Sequence, residues 1–138
     1  MKIYLAGPLF TFAERQFNGA LAYALTARGH TMFLPQEVEQ VGVSATQIFK
    51  ASVGGINWAD VVVANMDGAD PDSGTCWEVG YAYKKKPIVL IRTDSRHERE
   101  PFGPYNLMLH QSANAVLNYD QCSIEDIAAM IDVSFVQL

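Results

Sequence analysis

Short apolar runs alternate along this chain with longer segments in which apolar residues recur at helical spacing. Ile3 to Ala6 is a continuous apolar run, so Lys2 to Ala6 reads as a strand, ended by Gly7-Pro8. Thr11-Phe12-Ala13-Glu14 has the capping-box form that opens a helix, and Phe17, Leu21 and Leu25 then recur every four residues. Ala20 and Ala24 widen this stripe into a buried face, while Arg28-Gly29 supplies a basic last turn and a glycine stop. Thr31 to Leu34 is the next strand, closed by Pro35-Gln36. Ser44-Ala45-Thr46-Gln47 is a second capping box, opening a helix expected to reach Trp58 although Gly54-Gly55 weakens it.

The alternation continues with a strand over Asp60 to Asn65, a helix over Thr75 to Lys85 and a strand over Pro87 to Arg92. Asp94 to Glu100 is dense in charge and reads as a solvated loop, and Pro101-Phe102-Gly103-Pro104 is incompatible with a regular interior. A short helix begins near Asn106, and Ala113 to Leu117 forms a fifth strand. Ser123-Ile124-Glu125-Asp126 then caps a last helix that points Ile127, Met130 and Ile131 inward. Strands alternating with helices through short connections imply a parallel sheet, with right-handed crossovers that place helices on both faces. The expected architecture is therefore α/β, a flavodoxin-like or Rossmann-like three-layer sandwich around five parallel strands. Ligands of such sheets bind at the carboxyl ends of the strands. The loops after the first, third and fourth strands gather Tyr4 to Phe10, Asp67 to Glu78 and the Arg92 to Met108 region there.

Composition narrows the class. The 138 residues, 49% of them hydrophobic and 18% charged, suit one globular domain over residues 1–138, with no internal repeat or low-complexity segment. A net charge of −5 and a single basic cluster, Lys84-Lys85-Lys86, argue against nucleic acid as a partner; the cluster reads as a helix end. No stretch approaches the roughly 18 apolar residues of a membrane span. Gly7-Pro8 interrupts the one N-terminal run that could imitate a signal peptide. Cys76 and Cys122 are too few for a disulfide framework or a zinc cluster, which fits a reducing cytoplasm, and both read as packing residues. His30, His97 and His110 show no metal spacing and read as surface or structural residues.

The segment richest in chemistry is Asp72 to Ala82, Asp-Ser-Gly-Thr-Cys-Trp-Glu-Val-Gly-Tyr-Ala, where two carboxylates, Asp72 and Glu78, flank the turn from loop into helix. Together with Ile-Tyr-Leu-Ala-Gly-Pro at Ile3 to Pro8, Asp67-Gly68 and Asn-Leu-Met at Asn106 to Met108, this segment resembles the nucleoside 2-deoxyribosyltransferases. The match covers most of the chain in the right order. Each piece is weak alone; at these spacings they are fairly specific to that family and its nucleotide-hydrolysing relatives.

The resemblance implies transfer of a 2-deoxyribosyl group from one base to another, with Glu78 as nucleophile on the anomeric carbon. The chemistry fits on its own terms. Cleavage of an N-glycosidic bond develops oxocarbenium character, which a carboxylate can capture as a covalent ester that a second base then attacks, so two inversions give net retention. Tyr4 would donate its hydroxyl to Glu78. Asp72 would accept a hydrogen bond from the sugar 5′-hydroxyl. Nucleotide-hydrolysing relatives carry a serine in that place, and here a 5′-phosphate would meet the negative charge of Asp72; no arginine stands in the Gly7 to Phe12 loop to hold it. Free nucleosides are accordingly favoured over nucleotides.

By the same resemblance, Gly7, Asp67, Gly68, Ser73 and Gly74 lie on the substrate-binding loops, Phe10 stacks on the base and Gln36 hydrogen-bonds to its edge. Asn106 would reach the site of a neighbouring subunit, with Met108 near it, so the assembly would be at least a dimer. Some members carry an acidic base-recognising residue before the third strand, where this chain has Ser52. That departure leaves base preference and the proton source for the leaving base open. No metal or other cofactor is implied, and the Gly-x-Gly-x-x-Gly fingerprint is absent after the first strand.

Plainer roles compete with each assignment. Thr75 to Glu78 is itself a capping box, Asp72 and Asp67-Gly68 are common turn residues, Tyr4 could fill core, and Asn106 could cap the helix that follows it. Three functions stay open: transfer between nucleosides, hydrolysis of a deoxynucleoside 5′-monophosphate, and nucleoside binding without turnover.

Overall fold

A computed structural model describes residues 1–38, 42–94, 105–118 and 122–138. Five strands, β1 (Lys2–Ala6), β2 (Thr31–Phe33), β3 (Val61–Asn65), β4 (Ile88–Arg92) and β5 (Ala115–Asn118), alternate with five helices, α1 (Phe12–Ala27), α2 (Ala45–Trp58), α3 (Ser73–Ala82), α4 (Leu107–Ser112) and α5 (Ile124–Ser134). Short 3₁₀ turns follow β2 at Pro35–Glu37 and close the chain at Phe135–Gln137. All strand pairs are parallel and the sheet order is β2-β1-β3-β4-β5, the flavodoxin-like order. The loops expected over Asp94 to Glu100 and Pro101 to Pro104 lie, apart from Asp94, outside the described residues, as does His97.

Strand alternation divides the core into two layers. Ile3, Leu5, Val61, Val63, Val89 and Ile91 face Leu21 and Leu25 of α1 and Ile127 and Ile131 of α5. Tyr4, Ala6, Val62, Ala64, Ile88 and Leu90 face the other way, onto Ile56 of α2, Val79 of α3 and Leu109 of α4. Both faces of the central strands are covered, which is why β3 and β4 are continuously apolar up to their polar ends. Met130 departs from the expected pattern: it lies on the exposed side of α5, where Ala128 and Ser134 complete the buried stripe with Ile127 and Ile131.

The capping boxes at Thr11, Ser44 and Ser123 form as the spacing implies, each with reciprocal bonds to the third helical residue. Strand ends differ from expectation by up to two residues, and α3 differs more. It starts at Ser73, because Asp72 rather than Thr75 is its cap, and it stops at Ala82. Beyond it Lys84 adopts a left-handed conformation (φ 61°), and Lys86 turns back to donate to the carbonyls of Asn57 and Ala59 at the end of α2. Gly54-Gly55 does not break α2. Gly55 is buried against Phe33 of β2, whose ring lies 2.7 Å from where a β-carbon would stand, so the missing side chain lets helix and strand approach. Of the two cysteines, Cys76 is partly buried and Cys122 exposed, so only the first packs inside. No helix among the described residues is long and apolar enough to cross a membrane.

Candidate active site

From β1 the chain passes to β2 on one side and returns to β3 on the other, so the loops after β1 and β3 diverge at the carboxyl edge. Such a switch point opens a crevice. Here the crevice is a cleft of about 150 Å³, lined by Gly7, Leu9 and Phe10 from the loop after β1, Pro35 after β2, Ile48 and Ser52 from α2, and Asp72, Gly74, Thr75 and Glu78 around the start of α3.

Glu78 lines this cleft, and Tyr4, outside the lining, bonds to it. Tyr4 is fully buried within β1 and stacks on Phe33 at 5.3 Å between ring centroids, which sets the direction of its hydroxyl. That hydroxyl donates a short hydrogen bond to Oε1 of Glu78, in the second turn of α3. Glu78 is thus not a capping residue: its carboxylate is turned into the cleft. Among the described residues Oε2 takes no hydrogen bond from the protein. Burial is the main influence on its acidity; the Tyr4 bond opposes it, the nearby charge of Asp72 adds to it, and the pKa is pushed up to about 7. The Tyr4 hydroxyl is pushed far above its ordinary range by burial and then by the Glu78 charge, and so stays a donor.

Asp72 serves at the turn into α3 and also borders the cleft. Oδ2 caps α3, accepting from the backbone N–H of Thr75 at 2.8 Å and from its hydroxyl at 3.0 Å, while the residue lines the cleft. Gly74 allows this turn, since a β-carbon there would stand 3.1 Å from Asp72 Oδ2. Gly7 keeps the first loop close to the sheet, where a β-carbon would press on Asn65 and Asn18 at 3.2 and 3.3 Å. Phe10, three-quarters exposed, forms part of the rim.

Other nominated residues stand outside this lining. Gln36 spends its amide on α1, donating to the carbonyl of Arg15 at 3.1 Å and accepting from Asn18 at 3.4 Å. Asp67 accepts from the N–H groups of Thr93 and Asp94 and from the Thr93 hydroxyl, at 2.6 to 2.8 Å. Gly68 sits at φ 116° and holds the turn beside it. Ser73 is exposed at the first position of α3. Asn106 caps α4 by accepting from Met108 N–H at 2.8 Å, and Met108, 78% exposed, faces a separate groove between α3 and α4. Neither lines the cleft that holds Glu78.

Leu9, Pro35, Ile48 and Thr75 line the cleft without having been nominated. Pro35 was findable as the residue just past a strand's carboxyl end, and Ile48 as the position one helical turn before Ser52. Leu9 and Thr75 fall in the two loops that the sheet topology brings to this edge, but nothing in their residue types singles them out. Among the described residues the lining has two carboxylates and no basic side chain. Among the described residues no group of three or more His, Cys, Asp or Glu side chains is placed to hold a metal ion.

Residues 3–130 match the family model for nucleoside 2-deoxyribosyltransferase. Among curated proteins, none matches this sequence. Among solved structures, a conserved protein from Enterococcus faecalis superposes with a TM-score of 0.78 at 26% identity, covering 96% of this chain and 98% of that one. A 2-deoxyribosyltransferase from Bacillus psychrosaccharolyticus superposes at 0.73 with 30% identity, over 93% of this chain and 90% of that one. A CMP N-glycosidase from Clostridium botulinum shares the fold at a TM-score of 0.68, with 19% identity over 96% of this chain and 98% of that one. With the family model spanning nearly its whole length, and the Tyr4–Glu78 pair and Asp72 meeting at the switch point of the sheet, this chain belongs to the nucleoside 2-deoxyribosyltransferase family.

Proposed function

We propose that this protein transfers the 2-deoxyribosyl group between nucleobases by a retaining double displacement. The observation that carries the proposal is the Tyr4–Glu78 pair: a carboxylate held at the base of a cleft, with one oxygen fixed by a buried phenol and the other unbonded among the described residues. Glu78 Oε2 attacks the anomeric carbon as the N-glycosidic bond breaks. The bond's electron pair leaves with the base, which takes up a proton, and the sugar remains as a glutamyl ester. A nitrogen of the second base attacks the anomeric carbon of that ester, breaking its bond to the glutamate oxygen and giving up its own proton, so the carboxylate is freed with net retention. The ester survives long enough for transfer only if water is kept out, which the apolar wall of Leu9, Phe10, Pro35 and Ile48 favours.

Asp72 accepts a hydrogen bond from the 5′-hydroxyl of the sugar, and its charge, with no basic group among the described lining residues to offset it, disfavours a 5′-phosphate. The substrates are therefore free 2′-deoxynucleosides and free bases. Phe10 stacks on the base. Exposed Asn106 and Met108, remote from their own cleft, complete the site of a neighbouring subunit, so the active form is at least a dimer.

The test is chromatography of 2′-deoxyinosine incubated with and without excess adenine, beside deoxyinosine monophosphate and a Glu78→Ala variant. Deoxyadenosine formed from the nucleoside, and lost by orders of magnitude in the variant, is the expected result. Free base released mainly from the monophosphate would make the protein a hydrolase instead. No turnover of any donor, with ligand affinity kept in the variant, would make it a binding protein.

A further inference from the structure

Arg92 ends β4 and is 1% exposed, the largest fully buried side chain among the described residues. A guanidinium so buried needs hydrogen-bond partners for its nitrogens. It donates to the carbonyl of Met66 through a short bond, to that of Gly68 at 2.8 Å and to that of Asp94 at 3.2 Å. The first two carbonyls belong to the loop after β3, which ends at Asp72. Asp67 crosses in the opposite direction, accepting from Thr93 N–H, Asp94 N–H and the Thr93 hydroxyl. Gly68 N–H adds a bond to Asp94 Oδ2 at 3.2 Å. On its far side Arg92 lies 6.0 Å from the ring of Tyr105, the residue before Asn106. None of these groups lines the cleft, so substrate contact does not explain them.

We infer that Arg92, clasped with Asp67 and Thr93, is a positioning residue that holds the loop after β3 so that Asp72 meets the 5′-hydroxyl of the sugar. The inference rests on the proposed transferase reading. The loop from Met66 to Asp72 has no regular structure of its own, and its shape depends on such external bonds. The planar fork of arginine reaches several carbonyls at once; the single ammonium of lysine cannot reproduce that spread. Asp72 stands where this loop enters α3, so a shifted loop turns its backbone about the Thr75 cap, whereas Tyr4 is fixed within β1 and Glu78 lies in the second turn of α3. Loss of the clasp should therefore fall on one substrate contact.

The experiment compares kcat/KM for 2′-deoxyinosine and 2′,5′-dideoxyinosine as donors, with adenine as acceptor, in the wild-type protein and in Arg92→Lys, Thr93→Val and Asp72→Ala. Arg92→Lys should lower the value for 2′-deoxyinosine by about 10- to 100-fold, the scale of a misplaced contact. The value for the 5′-deoxy donor should stay within about twofold, so that the ratio of the two donors approaches that of Asp72→Ala. Thr93→Val, which removes one bond of the clasp, should shift the ratio the same way by a smaller factor, and it decides the matter if Arg92→Lys does not fold. A merely structural role would lower both donors in parallel by depleting folded protein. Parallel losses, or an unchanged ratio in a folded variant, overturn the inference; wild-type protein that transfers nothing overturns the transferase reading instead.

Discussion

Glu78 combines partial burial with a phenol donor, and these act on its acidity in opposite senses. A nucleophile must be ionised, so kcat/KM, which reports the free enzyme, should rise with pH and level off above about 7. Tyr4→Phe removes the influence that favours the ionised form. Its pH profile should move to higher pH, and its plateau should fall about 10- to 100-fold through loss of orientation. Stability follows the same shift with a defined sign. The folded-state pKa of Glu78 lies above its ordinary 4.5, so the folded chain holds the proton more tightly and the carboxylate costs stability as pH rises from about 4.5 to 7. Glu78→Gln should therefore be more stable than wild type at pH 8, by about 1–2 kcal/mol after allowance for solvent screening in the open cleft, and no more stable at pH 4. Urea denaturation at the two pH values checks this.

At the scale of elements, the adjacent glycines of α2 have opposite meanings that sequence propensity treats alike. Gly54 faces open space with a helical backbone, so Gly54→Ala should stabilise the protein by about 0.5–1 kcal/mol. Gly55→Ala would drive a methyl group into Phe33 and should cost about 1–3 kcal/mol. Thermal unfolding of the two variants should move in opposite directions. Because Phe33 stacks on Tyr4, Gly55→Ala should also lower kcat, whereas Gly54→Ala should leave it unchanged. Three of the helix starts were legible as capping boxes because a cap needs only neighbouring residues. The start of α3 was not: Thr75 to Glu78 has the form of a capping box, but Glu78 bonds to Tyr4, 74 residues away in sequence, and Asp72 caps the helix instead.

The whole molecule carries the prediction about assembly. If Asn106 completes a neighbour's cleft, mixing the inactive Glu78→Ala and Asn106→Ala variants after dissociation should restore activity to about a quarter of wild type, because half the dimers then contain one intact site of two. Separately measured activities that simply average would remove the shared site. Sedimentation of the wild-type protein should accordingly show no stable monomer at assay concentrations.

What sequence alone determined is the periodic part: strand, helix and sheet class, the two-layer core, and the acidic, glycine-bearing segment at a strand's carboxyl edge. Those properties depend on neighbours within a few residues, or on a family pattern spread through Ile3 to Pro8, Asp72 to Ala82 and Asn106 to Met108. Tertiary structure alone decided which nominated residues share a cleft. It brought Tyr4, Gly7, Phe10, Asp72, Gly74 and Glu78 together, drew Gln36 to α1 and Asp67 to Thr93, and sent Met108 to another groove. It also buried Arg92 at the junction of two loops, a burial that its position at a strand end does not reveal. The reason is physical: hydrogen-bonding side chains take whichever partners the crossing of distant segments offers, and that crossing is set by the packed sheet rather than by local residue order.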